Sequence, residues 1–232
     1  FEAVDISEEL EKTFAFLERS LPKNISLNLD LNNAVAPALA DPGLFQQIFV
    51  NLCLNSRDAM PHGGKITVRL EKTDVKNIPP FAPHDAAPGR YVKILLRDSG
   101  PGIPANIKDR IFDPFFTTKN NKGAGLGLAM VERIVKNHKG WIELDSAQEQ
   151  GAGFAIFLPL LDETAPLTKT AKYIHNYTPG LNKILVVDDD EIQISLIRHF
   201  LEKYNYVVAE ANSAEAAVSM IEKNPGDYGL AI

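Results

Sequence analysis

Residues 91–104 read YVKILLRDSGPGIP, a strand-like run that ends on Asp98 and passes into a turn containing Gly100 and Gly102. A carboxylate at that point can accept a hydrogen bond from an exocyclic amine such as that of adenine, and the two glycines allow the backbone to approach a flat ring closely. The alternative is an ordinary Asp-Gly turn, which is common. This stretch therefore leaves two interpretations open, and its surroundings must separate them.

The segments before Asp98 have the periodicity of regular structure. Residues 8–21 carry apolar side chains at helical spacing, and residues 42–60 form a longer helical pattern that Pro61 ends. Apolar and polar residues alternate at 24–31 and at 65–73, which predicts two strands with one buried face each. The proline- and alanine-rich segment 74–89 is predicted to be a loop.

After Asp98 the chain continues with a long irregular segment. Residues 99–124 show little periodicity, and a loop of this length inside a domain is usually functional. Residues 125–139 return to helical spacing, and strand-like runs at 141–146 and 154–160 predict a closing hairpin. This order predicts an α/β sandwich, a mixed sheet with helices on one face.

The long helix carries two asparagines on one face. Asn51 and Asn55 are four residues apart, so they lie one turn from each other. A carboxamide oxygen is a reasonable ligand for Mg²⁺, which prefers oxygen donors. Asparagines that cap turns or face solvent would give the same pattern.

Two further motifs lie within and just after the irregular segment. IFDPFFTTK at 111–119 places aromatic residues on a loop, with Lys119 able to reach a terminal phosphate as a point charge; the aromatic residues would equally suit a small satellite core. GAGLGL at 123–128 enters a helix, where free amide groups and the helix dipole favour an anion. Its spacing is neither that of a dinucleotide fingerprint nor that of a P-loop.

The order of the four motifs along the chain makes a functional interpretation stronger than any one motif does. NLCLNSRDAM, DSGPGIP, IFDPFFTTK and GAGLGLAMV follow one another, each in a fitting structural setting. Together they resemble the N, G1, F and G2 boxes of histidine kinases, which belong to the GHKL superfamily with DNA gyrase, MutL and the heat-shock chaperone ATPase. The resemblance covers roughly residues 1–160 and implies the GHKL (Bergerat) α/β fold for residues 1–161, with ATP and Mg²⁺ as ligands.

The resemblance also implies roles for individual residues. Asn55 would hold Mg²⁺ on the phosphates with Asn51 beside it, and Asp98 would bind the adenine amine. Lys119 would contact the γ-phosphate, and Asn51 and Lys119 would be the catalytic residues. The other positions that the resemblance places around the nucleotide are Arg57, Asp58, Gly100, Gly102, Ile103, Thr117, Gly123, Gly125, Leu126, Gly127 and Leu128.

Two positions depart from related sequences in an informative way. Hydrolysing, chaperone-like members have a glutamate at the position of Asn51, where it activates water; a carboxamide cannot act as a general base at neutral pH. The sequence therefore favours phosphoryl transfer, which needs mainly positioning and charge stabilisation. Ala152 and Gly153 stand where relatives often have threonines, so an adenine-side hydroxyl is expected to be missing, and water could replace it.

A second domain is predicted after a linker at 162–182. Residues 183–187 form an apolar strand, and helix, strand and helix patterns follow, as at the start of a doubly wound, flavodoxin-like parallel sheet. Asp188 and Asp189 follow the strand; a divalent cation would relieve their repulsion, while a solvated acidic turn that caps the next helix is the alternative.

The second domain, at 183–232, resembles the beginning of a response-regulator receiver. In that family Asp188 and Asp189 would bind Mg²⁺. The strand predicted at 226–232 would be the one that the phosphoacceptor aspartate follows, so the receiver is expected to be truncated.

Composition and histidine positions complete the hypothesis. A net charge of -6 argues against a broad nucleic-acid surface, and no apolar stretch is long enough to cross a bilayer. None of the five histidines lies in a phosphoacceptor pattern; His62, His84 and His138 are among those assigned to surface or turn positions. The acceptor histidine is therefore expected on a helix hairpin before residue 1.

The resemblance thus implies a fragment of a hybrid sensor histidine kinase. Its expected partners are ATP, the missing hairpin and a receiver, without nucleic acid or membrane contact by this fragment. The parent is expected to be a cytoplasmic homodimer, and its anchoring at the inner membrane stays open. Two alternatives remain: a clamp ATPase of the chaperone or mismatch-repair type, and an ATP-binding pseudokinase.

Overall fold

The structure is a computed structural model that describes residues 1–31, 35–118, 125–145, 151–161, 183–190, 193–194, 197–198, 201–202, 206–224 and 226–232. The chain divides into two compact units, Phe1–Lys169 and Thr170–Ile232. The division falls within the segment predicted as a linker, 162–182, which lies outside the described residues.

The first unit is built around a five-stranded mixed sheet. Its elements are β1 (Glu2–Asp5), α1 (Ile6–Ser20), β2 (Ile25–Asp30), β3 (Pro37–Ala40), α2 (Pro42–Ala59), β4 (Gly64–Val75), β5 (Gly89–Asp98), a 3₁₀ helix (Ala105–Arg110), α3 (Gly127–Asn137), β6 (Trp141–Leu144) and β7 (Gly153–Pro159). The sheet order is β2-β4-β5-β7-β6; β2 is parallel to β4 and the other pairs are antiparallel. The predicted α/β sandwich with a closing hairpin is confirmed.

The separate antiparallel pair of β1 and β3 was not predicted, because four-residue strands are too short to show a period.

Strand β5 buries side chains on both of its faces. Val92, Ile94 and Leu96 are fully buried, and their alternation places them on one face of the sheet. On the opposite face Tyr91 joins a second cluster, in which the rings of Trp141 and Phe157 stack with centroids 4.9 Å apart. The loop residues packed on that cluster are Ile78, Ala82 and Ala86, so the segment predicted only as a loop covers the outer face of the sheet.

Helix α2 turns an apolar face to the core and a polar face away from it. Its first turn is capped by Asp41, whose side chain accepts a hydrogen bond of 3.0 Å from the backbone N–H of Leu44. The core-facing side includes Cys53, which is completely buried, and burial raises the pKa of its thiol. Asn51 and Asn55 lie outside that buried stripe and are half-buried.

His138 occupies the turn that ends α3, yet its ring is buried and only 3% exposed. The turn was predicted, whereas a surface position for the ring is wrong. The imidazole makes two hydrogen bonds inside the protein, which offset the cost of its burial.

The second unit contains a three-stranded parallel sheet. Its strands are β8 (Lys183–Val187), β9 (Val208–Ala211) and β10 (Tyr228–Ala231), in the order β10-β8-β9, and helix α4 (Ala214–Lys223) precedes β10. Alternate residues of β8 pack into separate apolar clusters, so this strand is buried on both faces, as is usual in parallel sheets. In the helix predicted at 191–204, the described residues, 193–194, 197–198 and 201–202, are helical. Across the described parts of both units, no helix combines the length and apolarity that crossing a membrane requires.

Candidate functional site

Asp98 lies at the end of β5 with its side chain buried, 5% exposed. Its Oδ1 accepts hydrogen bonds from the backbone N–H groups of Gly100, at 2.9 Å, and Ala152, at 3.0 Å. Its Oδ2 accepts a hydrogen bond of 2.9 Å from the hydroxyl of Ser56 on α2. A carboxylate oxygen can accept two hydrogen bonds, so Oδ2 retains acceptor capacity for one more donor. The side chain is thus fixed in place and still able to bind an amine.

Small residues surround this carboxylate closely. A Cβ atom at Gly100 would lie 3.1 Å from Asp98 Oδ1 and 3.3 Å from Met60 Cγ. Gly151 has a φ of +80°, and a Cβ atom there would overlap the backbone carbonyl of Asp98. Gly102 also has a positive φ, of 76°. Only glycine fits Gly151 without displacing the end of β5, and the space beside Asp98 is therefore narrow and lined by backbone.

The two asparagines of α2 lie close to the start of α3. A Cβ atom at Gly127 would lie 3.7 Å from Asn55 Nδ2 and 4.0 Å from Asn51 Oδ1. Asn51 Nδ2 is buried without a hydrogen-bond partner among the described residues. A buried donor left unpaired costs about 1–3 kcal/mol, a cost that an anionic acceptor at this position would remove. The helix start and the amides together suit a phosphate group.

The aromatic motif at 111–116 divides between core and surface. Ile111 is buried, and the ring of Phe112 meets that of Phe154 edge-on at 6.5 Å. Phe115 is 74% exposed, with a φ of 66°, and its backbone N–H donates to Gly125 O at 2.9 Å. One end of the motif is therefore satellite core, and Phe115 at its other end projects outward. The chain entering α3 crosses directly over this motif.

The remaining predicted residues are placed less closely together. Asp58 is exposed, and its Oδ1 pairs with Arg57 Nη2 at 2.7 Å. Thr117 and Leu126 are exposed, while Ile103 and Leu128 are half-buried. Lys119 and Gly123 lie outside the described residues. Asp188 and Asp189 follow β8 in the second unit, where Asp188 Oδ1 accepts a 2.8 Å hydrogen bond from the backbone of Asp190.

Ser56 is the site residue that sequence reasoning missed. It is 2% exposed, and its hydroxyl reaches the carboxylate from α2, on the other side from Ala152. Ala152 itself contacts Asp98 through its backbone, donating to the carboxylate and accepting from Asp98 N at 2.9 Å. Ser56 therefore places a hydroxyl on Asp98 from α2, whereas positions 152 and 153, where relatives often have threonines, carry none. A polar residue directly after Asn55, on the edge of the buried stripe, was the available signal.

The donor set of the site fits a nucleotide-bound magnesium ion better than a metal centre built from protein alone. Within the described ranges, no three His, Cys, Asp or Glu side chains gather as a metal site. Asn55 carries a single carboxamide oxygen, and its Nδ2 would lie 3.7 Å from a Cβ atom at Gly127. Mg²⁺ characteristically takes one or two protein oxygens and completes its shell with phosphates and water.

Comparison with known proteins agrees with this geometry. Residues 40–162, more than half of the 232-residue chain, match the family described as histidine kinase-, DNA gyrase B-, and HSP90-like ATPase. The chain is 36% identical over its whole length to the sensor kinase CckA of Brucella abortus, of which it covers 25%. Over 68% of its length it is 33% identical to the sensor histidine kinase ZraS of Escherichia coli, of which it covers 31%. The chain thus spans about a quarter to a third of these relatives.

Solved structures show the same fold. The catalytic domain of the histidine kinase ThkA matches 68% of this chain and 95% of its own, with a TM-score of 0.54 and 28% identity. The mycobacterial sensor histidine kinase MprB matches 68% of this chain with a TM-score of 0.54 and 26% identity. With its buried Asp98 corner, its asparagine-bearing helix and these matches, the chain belongs to the family of histidine kinase-, DNA gyrase B- and HSP90-like ATPases, and its first unit is an ATP-binding domain of the histidine kinase type.

Proposed function

We propose that this chain is the catalytic part of a hybrid sensor histidine kinase, followed by the first part of a receiver domain. It transfers the γ-phosphoryl group of ATP to a histidine outside this chain, from which the group passes to a receiver aspartate. The observation that carries the proposal is the buried carboxylate of Asp98, held by three donors and retaining one acceptor direction. The parent acts as a homodimer through its helix hairpin.

The adenine ring binds beside Asp98, with its 6-amino group donating to Oδ2. Gly100 and Gly102 line the base pocket, and Ile103 contacts the ring edge. Asp98 is a purely accepting group in this arrangement, because three protein donors already point at it. A 6-oxo purine would present an acceptor to an acceptor, so the site selects adenine.

The triphosphate lies between α2 and the start of α3. Asn51 Nδ2 donates to a phosphate oxygen, and the amides around Gly125 and Gly127 support the phosphates together with Leu126 and Leu128. Asn55 would hold a magnesium ion, which would supply neutralisation of the phosphate charge. By the resemblance of their motifs, Lys119 would contact the γ-phosphate, and Thr117 and Gly123 would belong to the segment that covers it. Asp58 lies further along α2 and acts only at the margin of this site.

The second unit is proposed to be the first part of a receiver. Its parallel sheet has the first strand in the centre, which is the start of a doubly wound topology. Asp188 and Asp189 follow that central strand, at the sheet edge where ligands bind, and would hold Mg²⁺. The match to CckA of Brucella abortus, which extends over the whole chain, supports this assignment.

Nucleotide binding and label transfer test the proposed function. Calorimetry with magnesium and AMPPNP should show binding, and GMPPNP should bind at least about tenfold more weakly because its 6-oxo group opposes the carboxylate. With γ-labelled ATP, the chain alone should retain no label, and a histidine-bearing hairpin of the parent, added as a separate polypeptide, should become labelled. Steady-state phosphate release by the chain alone would instead indicate a clamp ATPase, and AMPPNP binding without any label on the hairpin would indicate an ATP-binding pseudokinase.

Ser56→Ala is expected to weaken AMPPNP binding by about five- to tenfold, because one of the three hydrogen bonds that orient Asp98 is lost. Calorimetric dissociation constants for the variant and the wild type measure the effect. Thr13→Val is the matched control, since it removes another buried hydroxyl, 2% exposed and bonded to Glu9 O at 2.8 Å, away from Asp98. Equal affinities of Ser56→Ala and the wild type would show that the hydroxyl has no part in binding.

A further inference from the structure

His138 joins the end of α3 to the start of α2. Its Nδ1 lies 2.8 Å from the carbonyl oxygen of Ile134, and its Nε2 lies 3.1 Å from the backbone nitrogen of Asp41. A backbone N–H can only donate, so Nε2 accepts and Nδ1 carries the proton and donates to Ile134. Both ring nitrogens of the neutral imidazole therefore make a hydrogen bond. A second proton, on Nε2, would place one N–H donor directly opposite another, the backbone N–H of Asp41.

The partner of His138 is the residue that caps α2. The Asp41 side chain accepts from Leu44 N at 3.0 Å, and its carbonyl accepts from Phe45 N at 2.8 Å. The backbone N–H of Asp41 precedes the helix and finds its acceptor in the imidazole. His138 therefore extends the cap of α2 across to a second helix.

The two helices approach each other again at the proposed phosphate end of the site. Gly127 begins α3 and lies beside Asn51 and Asn55 of α2. The span from Gly127 to the end of α3 and the span from Asp41 to Asn51 each cover about 15 Å of helix, at ~1.5 Å per residue. A shift of α3 at its His138 end is therefore transmitted along a rigid rod to Gly127.

We infer that His138 is a positioning residue for the nucleotide site: its neutral ring holds α3 in register with α2, and protonation of the ring as the pH falls weakens nucleotide binding by releasing Gly127 from Asn51 and Asn55. This inference rests on the proposed ATP site. No other group on the described face of α2 or α3 needs to titrate for the effect.

The electrostatic surroundings support this direction. Burial lowers the pKa of His138, while its hydrogen bond to Ile134 and the nearby Asp41 raise it, and the amino group of Phe1 lowers it. The ring of Phe1 also meets the imidazole edge-on at 4.7 Å. Two charged neighbours on its own segment are paired with other residues, Lys136 with Glu132 and Lys139 with Asp85.

The sign of the pH dependence follows from that lowered pKa. The folded pKa of His138 lies below the unfolded value of about 6.5. The neutral ring therefore makes its full contribution to the stability of the fold when the pH is above that value. This contribution decreases as pH falls below about 6.5 and is lost once the pH has passed the folded pKa.

The test compares the wild type with His138→Gln, whose amide oxygen can accept from Asp41 but does not titrate. Dissociation constants for AMPPNP with magnesium are measured from pH 8 to pH 5.5, and their ratio at each pH cancels titration of the nucleotide itself. We expect the ratio to change by about fivefold or more in favour of the variant as the pH falls, as for loss of one buried hydrogen bond. An amino-terminally acetylated wild type removes the charge of Phe1 and should keep the same pH profile.

The outcomes are distinct. A ratio that stays constant across the pH range, with circular dichroism showing both proteins folded, overturns the inference, as does a pH dependence that acetylation abolishes. Should His138→Gln not fold, an imidazole proton signal followed by nuclear magnetic resonance in the wild type decides: titration that coincides with weakened AMPPNP binding supports the inference, and titration apart from it refutes it. Absence of AMPPNP binding by wild type at pH 8 is the separate failure of the proposed function.

Discussion

Asp98→Asn is expected to weaken binding of AMPPNP with magnesium at least about 100-fold while the domain stays folded. The asparagine oxygen can replace Oδ1 and accept from Gly100 and Ala152, and the hydroxyl of Ser56 can rotate to accept from the new amide. The fold is therefore spared. The adenine amine, however, now meets an N–H donor in place of a carboxylate, which removes a charge-assisted hydrogen bond and adds a donor–donor contact, together about 3 kcal/mol.

The same substitution makes a prediction about the base. An asparagine amide can donate to a 6-oxo group, so inosine triphosphate should lose much less affinity than ATP, and the preference between the two should narrow or reverse. Calorimetry with both nucleotides measures this. Asp145→Asn is the matched control, because it neutralises an exposed aspartate that pairs with Arg97 at the same end of β5. An Asp98→Asn variant that binds ATP normally would refute the placement of adenine.

Gly151→Ala is expected to lower the free energy of unfolding by more than about 3 kcal/mol and to abolish nucleotide binding. The left-handed backbone at φ +80° costs an alanine ~1–2 kcal/mol by itself. Its methyl group would also overlap the carbonyl of Asp98 and approach Oδ1 to 3.4 Å. That carbonyl cannot move freely, because the backbone of Asp98 is bonded to Ala152.

Urea unfolding followed by the fluorescence of Trp141, the only tryptophan of the chain, measures this change in the first unit. Gly89→Ala is the control in the same unit, since a methyl group there would meet only Ala87 O, at 4.0 Å. It should shift the unfolding midpoint little. An unchanged midpoint for Gly151→Ala would mean that the corner around Asp98 is far less rigid than described.

The main elements of the first unit could be predicted because their residues carry a period. The alternation at 65–73 and the helical spacing at 42–60 match the observed burial, because each element buries one face. The outer apolar cluster could not be predicted in this way. Ile78, Ala82 and Ala86 cover this cluster. They have no regular spacing in the sequence, and only their packing on the cluster that contains Trp141 shows that they belong to the core.

Some residues of the site could likewise be identified from the sequence, and others could not. Asn51, Asn55, Asp98 and the glycines lie in local motifs, and the resemblance of those motifs, in their order, to the histidine kinase boxes marked them as candidates. Ser56 and His138 could not, because their roles depend on partners distant in sequence, at Asp98 and Asp41. A single hydroxyl or imidazole leaves no pattern in the chain; only the packing of one helix on another element reveals what it touches.

The pairing of β5 with β7 has a consequence for synthesis on the ribosome. Asp98 emerges at the end of β5, but one of the three donors that hold its carboxylate is the backbone N–H of Ala152, beside Gly153 at the start of β7. Long-range strand pairing of this kind forms slowly, and only after the later strand has left the exit tunnel. A nascent chain interrupted before β7 has its helices and two of its central strands but lacks the third donor to Asp98, so we expect ATP to contribute little to its early folding.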